Sequence, residues 1–203
     1  MADNLTTTTT VSTVPDATVI ATDDAGSAHY QKVKLVDGTA DSTTVIPGTA
    51  NGLQVVTAAT VIDLTLSLDT DPYADGDSLA EAQELALAVR ASGSTGVIQS
   101  IVVIDQDDQG QALDIVISDS TITLGTENSA VSISDADAAK ILGIVEVSTS
   151  DYVNLVNSQL ATKTNLGIVI MPDSASLYIS AISRGTGTYS ASGIVLRFGI
   201  LTD

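Results

Sequence analysis

Apolar and polar positions alternate with a period of two along much of this chain, and Gly, Ser, Asp and Pro cut the alternation at short intervals. Such a pattern predicts many short strands with one face buried. Tyr30, Lys32, Lys34 and Val36 alternate with Gln31, Val33, Leu35 and Asp37, which predicts a half-exposed strand between the turn signals Asp23-Asp24 and Asp37-Gly38. Residues 38–52 collect Gly, Pro, Thr, Ser and Asn-Gly and read as a loop or arm. Leu53–Ala59 and Thr60–Leu68 read as strands, the second setting Ile62, Leu64, Leu66 and Leu68 against Asp63, Thr65 and Ser67. Asp69–Gly76 is a loop, because Pro72 and Gly76 interrupt any ladder. Ala80–Arg90 mixes helix formers with an alternation of Leu85, Leu87 and Val89, which predicts a strand over its second half. Gly96–Asp105 and Ala112–Ser118 predict a hairpin across Gln106–Gln111. Strands resume at Ile144–Val147, Gly167–Met171, Ser176–Ser183 and Gly193–Leu201, with turns at Arg184–Gly187 and Ser190–Gly193.

One segment has the marks of a helix. Over Ser134–Gly143, Ser134 is a good N-cap, Asp135 and Asp137 suit the positive end of the helix dipole, and Gly143 supplies a stop. Many short strands with a single short helix predict a mainly β protein, an antiparallel sandwich of jelly-roll-like form. The expected organisation is an extended N-terminal arm with a short strand over residues 1–52, then a sandwich core over 53–203. The arm opens on a run of five threonines, Thr6–Thr10, whose branched side chains disfavour a free helix.

Composition narrows the functional classes. Among 203 residues, 25 are acidic and seven basic, for a formal charge of −18. Phosphate neutralisation needs clustered Lys and Arg, so nucleic acid and anionic membrane are not expected partners. With no Trp, one Phe and five Tyr, stacking platforms for bases or sugars are scarce. The absence of Cys excludes disulfides, thiolate metal sites and a Cys nucleophile. The first residues, Met-Ala-Asp-Asn, lack the basic and apolar regions of a secretory signal, and no apolar run approaches the ~20 residues of a spanning helix.

Candidate chemistry is sparse, and the expectation is a non-enzymatic protein without a cofactor or metal. His29 is the lone histidine, so any Ser-His-Asp triad would have to use it, and no G-x-S-x-G elbow occurs. Asp105–Gly110 opens like a calcium loop, yet position twelve, where a bidentate Glu is required, is Val116. A turn with solvated carboxylates is the simpler reading, as it is for Asp69, Asp71, Asp75 and Asp77. Lys32 with Lys34, and Arg184 with Arg197, are the small cationic groupings; they are candidate contacts to another acidic surface, against simple intramolecular pairing.

Two stretches carry a resemblance. VIATDDAGSAHYQKVKLVDGT resembles an N-terminal motif, V-I-A-T-D-D-x-G-x-x-H-Y-Q-x-V-K-L-x-D-G, of structural proteins of tailed bacteriophages. STGVIQSIVVIDQDDQGQALDIVI, DADAAKILGIVEVSTSDYV, ATKTNLGIVI and SLYISAISRGTGTYSASGIVLRFGIL resemble small virion proteins, among them capsid decoration (cement) proteins. The resemblance implies a place on the outer surface of the capsid, with the major capsid protein and copies of itself, as a homotrimer, for partners. His29, Tyr30, Lys32, Lys34, Arg184 and Arg197 would then be capsid or subunit contacts. An arm of ~45 residues reaches ~150 Å when extended, and apolar Val, Ile and Leu surfaces would be shared between subunits. The alternative is a tail or fibre adhesin that binds a host surface receptor.

Overall fold

Strand formation follows the β-branched runs. The structure, a computed structural model, describes residues 22–25, 28–31, 48–49, 52–53 and 58–202. The chain divides into two compact units, Met1–Val55 and Val56–Asp203. In the first, β1 (Thr22–Ala25) and β2 (Ala28–Gln31) form an antiparallel ladder that sets Asp23 opposite Tyr30 and Asp24 opposite His29. β3 (Gly48–Thr49) pairs with β4 (Gly52–Leu53). The strand expected through Val36, beyond Gln31, and the arm expected before Thr22 lie outside the described residues.

The second unit is a sandwich of two antiparallel sheets built from β5 (Ala58–Thr65), β6 (Ser78–Leu85), β7 (Gly96–Asp105), β8 (Leu113–Ser118), β9 (Ile141–Val147), β10 (Tyr152–Asn154), β11 (Gln159–Ile170), β12 (Leu177–Ser183) and β13 (Ile194–Thr202). The five-stranded sheet runs β10-β11-β7-β13-β5 and the four-stranded sheet β6-β12-β8-β9. Consecutive strands change sheet except from β8 to β9 and from β10 to β11, and β5 lies beside β13. This winding, with β10 as an added edge, is that of a jelly roll, as the alternation predicts. The inward rows meet in one core. Ile194, Leu196, Phe198 and Ile200 of β13 face Leu113, Ile115 and Ile117 of β8 and Leu177 and Ile179 of β12, all within 1% of full burial.

Where β13 crosses β7 the register slips between Gly199 and Ile200. A side chain at 199 would put its Cβ 2.5 Å from Ser100 Oγ, so any larger residue there would displace the Ser100 hydroxyl. The alternation expected for Ile62–Leu68 is present: Asp63, Thr65 and Ser67 are exposed, while Leu66 and Leu68 are buried.

Three expectations need correction. β7 and β8 occupy the expected residues but do not pair with each other; β7 pairs with β11 and β13, and β8 with β12 and β9. Residues 106–112 therefore cross from one sheet to the other. The strand expected in the second half of Ala80–Arg90 is instead Ser78–Leu85, and Leu87, at φ 59° and 73% exposed, lies in the turn that follows. The helix starts at the expected cap, with the Asp137 N–H donating to Ser134 Oγ at 3.1 Å, but α1 spans only Asp135–Ala138. Ile141 is drawn into β9 opposite Ser118, and Gly143 lies within β9, where a Cβ would press on Ile168 at 3.2 Å. Sheet pairing and apolar burial override the local helix preference.

Candidate interaction surface

The acidic loop after β7 is part of the scaffold. Asp105 is 1% exposed, and its carboxylate accepts the N–H groups of Asp107 (3.0 Å), Gln109 (2.8 Å) and Gly110 (2.6 Å). These bonds satisfy an otherwise costly buried acid and turn the chain between the sheets. Asp107 in turn accepts the N–H and hydroxyl of Ser190, and Gln109 and Gln111 accept the N–H groups of Thr188 and Thr186. The loop thus clasps the β12–β13 connection. The expectation of solvated carboxylates here is corrected for Asp105.

The Asp69–Asp77 loop has a similar logic. Its Asp69 and Asp77 carboxylates accept the N–H groups of Asp71 and Ala74, which holds Asp69 below the usual carboxylate range. Tyr73 anchors this loop from beneath: its hydroxyl accepts the Asp69 N–H and faces the Leu79 carbonyl and the Glu127 carboxylate. Its pKa is raised by burial and by the nearby acids. Among the described residues no three His, Cys, Asp or Glu side chains converge as a metal centre requires.

The cationic candidates separate. Arg184, after β12, donates from Nε to Asp114 Oδ2 at 2.7 Å, at the wall of an open cleft of about 400 Å³ that also includes Glu146 and Ser148. Arg197, on β13, makes a two-pronged pair with Asp63 of β5 at 2.8 Å each, which lowers the Asp63 pKa and raises that of Arg197. Both are thus paired within the chain, each with its own aspartate. His29 and Tyr30 stand on β2 across from Asp24 and Asp23, and Lys32 and Lys34 lie outside the described residues.

The two sheets differ on their outer sides. On the four-stranded sheet the β8–β9 connection folds back, and Ile122, Leu124, Val131 and Ile133 pack on Val116, Ile182, Ala82 and Ile141 as a second, smaller core. On the five-stranded sheet the register places Val153, Leu160, Ile104 and Val195 in one row across four strands, and Val169, Val97 and Leu201 in another across three. Between the rows lie two mixed ones, Thr162, Val102, Arg197 and Asp63 in the first and Thr164, Ser100, Gly199 and Val61 in the second. Val61 and Val169 are each 69% exposed. No segment among the described residues forms a second core on this face.

The β10–β11 hairpin continues the apolar surface past its edge. Leu155 and Val156 are exposed at its tip, where Val156 adopts φ 82° and donates its N–H to Asn154 Oδ1 at 2.7 Å. Positive φ at a β-branched residue is strained. Sequence reasoning did not pick out this face. The available signal was that outward positions Val97, Val102 and Ile104 in GVIQSIVVID and Val195 and Leu201 in GIVLRFGIL are aliphatic, where a one-sided strand would have polar residues. Comparison with protein-family models and with curated proteins gives no significant match to the chain.

Proposed function

We propose that this chain is a non-enzymatic virion protein of a tailed bacteriophage. In this reading it is a head decoration protein that sits as a homotrimer on the outside of the capsid, binds the major capsid protein and reinforces contacts between capsomers. The observation that carries the reading is a jelly-roll sandwich with exposed aliphatic rows on one sheet that no described segment packs on as a second core, the form expected of a subunit whose work is contact. The likeness of its N-terminal segment and strands to phage structural proteins supports the setting. A charge of −18 suits a surface away from packaged DNA.

The test is made on phage heads. Full-length protein should co-sediment with heads stripped of it and restore their resistance to heat and osmotic shock. Deleting residues 1–48 should abolish binding while the 53–203 core stays folded. Retained binding by the truncated chain contradicts the role given to the N-terminal segment. Hundreds of copies per particle fit decoration, whereas a few copies favour the tail or fibre adhesin.

A further inference from the structure

The aliphatic outer face of the five-stranded sheet needs an occupant, and the charge distribution selects one. The chain carries 25 acids against seven bases, so two copies repel over most of their surfaces. On this face the charged side chains of the described strands are Asp63 and Arg197, which neutralise each other. It is an area without net charge on an anionic molecule, two aliphatic rows flanking uncharged Thr162, Thr164 and Ser100, where like copies meet without opposing acids. Its size is adequate. Five strands at ~4.8 Å spacing and a nine-residue β13 give a face of about 700 Å², close to the ~800 Å² per partner of stable interfaces. The opposite sheet offers no equivalent, because its own chain covers it.

We propose that second copies of this chain cover this face, so that the five-stranded sheets form the interior of the assembly. The inference deepens the self-association in the proposed function and names its surface; it stands apart from capsid binding. Sedimentation equilibrium of the full chain tests it. Wild type should give a multiple of 20.7 kDa. Val61→Glu/Val169→Glu, at two sites already 69% exposed, should fall to the single-chain mass with unchanged circular dichroism and a melting temperature that no longer depends on protein concentration. Leu87→Glu, at an exposed residue outside the sheets, should remain assembled, and Val61→Glu alone should shift the equilibrium partway. A monomeric wild type, or a double variant that stays assembled, overturns the inference. Head binding, measured in parallel, separates the two proposals. An assembled chain that ignores heads contradicts the decoration role alone, and a monomeric chain that binds them contradicts the face alone.

Discussion

The two sheets share one core yet treat their outer sides differently. The four-stranded sheet buries both faces of its central strands: five of six positions in β8 and six of seven in β12 are buried. The 119–134 connection supplies the second layer. In the five-stranded sheet, β13 reads buried and accessible in strict alternation, although its accessible positions include Val195 and Leu201. Strands rich in aliphatics on both sides are ordinarily covered on both sides. The central strands of one sheet meet that requirement within their own chain; for the other sheet a second copy is the proposed cover. Aliphatic composition alone therefore does not tell core from contact surface, and the connection that folds back makes the difference.

The contrast can be broken from the shared core outward. Phe198→Ala empties the layer between the sheets and should cost about 3–5 kcal/mol in chemical denaturation. Asp105→Ala leaves three backbone N–H groups of the crossover without their acceptor. It should cost about 3 kcal/mol and loosen the 184–193 loop, seen as faster amide exchange there. The comparison itself is sharpened by a pair: Leu124→Ala in the covering layer should cost about 2 kcal/mol, while Val61→Thr on the open face should change single-chain stability by no more than ~0.5 kcal/mol. Equal effects would mean that the open face is packed within the chain.

Smaller effects bear on the edge of the open face. Val156→Gly releases the strained φ at the hairpin tip and should stabilise the fold by about 1 kcal/mol, read as a rise in melting temperature. The Asp151 carboxylate, held by Lys163 and by the Ser148 N–H and hydroxyl, is lowered from 3.8 to about 2. A depressed carboxyl contributes stability above its unfolded value and loses it as pH falls through the folded one. Lys163→Met should therefore lower stability at pH 6 and leave it nearly unchanged at pH 2, in a denaturation series across that range.

Strand positions were the legible part of the fold. The period-two run of Ile62–Leu68 marks a strand because half-burial imposes that spacing, while Gly96–Asp105 and Ser176–Ser183 are legible as short β-branched apolar runs bounded by turns. Pairing was not legible, since β7 and β8 would show the same alternation in a hairpin or on opposite sheets. What distinguishes the cases is the burial of Asp105 and its three N–H donors, a tertiary fact. Ser134 was legible as a cap, but the length of its helix was set by the register of Ile141 against Ser118. The proposed contact face was legible only in part: Arg197 was singled out by charge, whereas the aliphatics around it looked like core. His29 and Tyr30, chosen from the motif, stand on a ladder of the first unit, and their role remains a proposal.

The central claim is that one sheet is covered by its own chain and the other by copies of it. Side-chain carbene footprinting of the full-length assembly, read by mass spectrometry before and after dilution to single chains, tests it most directly. Ile122 and Leu124 should stay protected in both states. Val61, Val169 and Leu201 should be protected in the assembly and labelled on dilution, with Leu87 labelled throughout. Labelling of Val61 and Val169 at the level of Leu87 in the assembled protein would contradict the account.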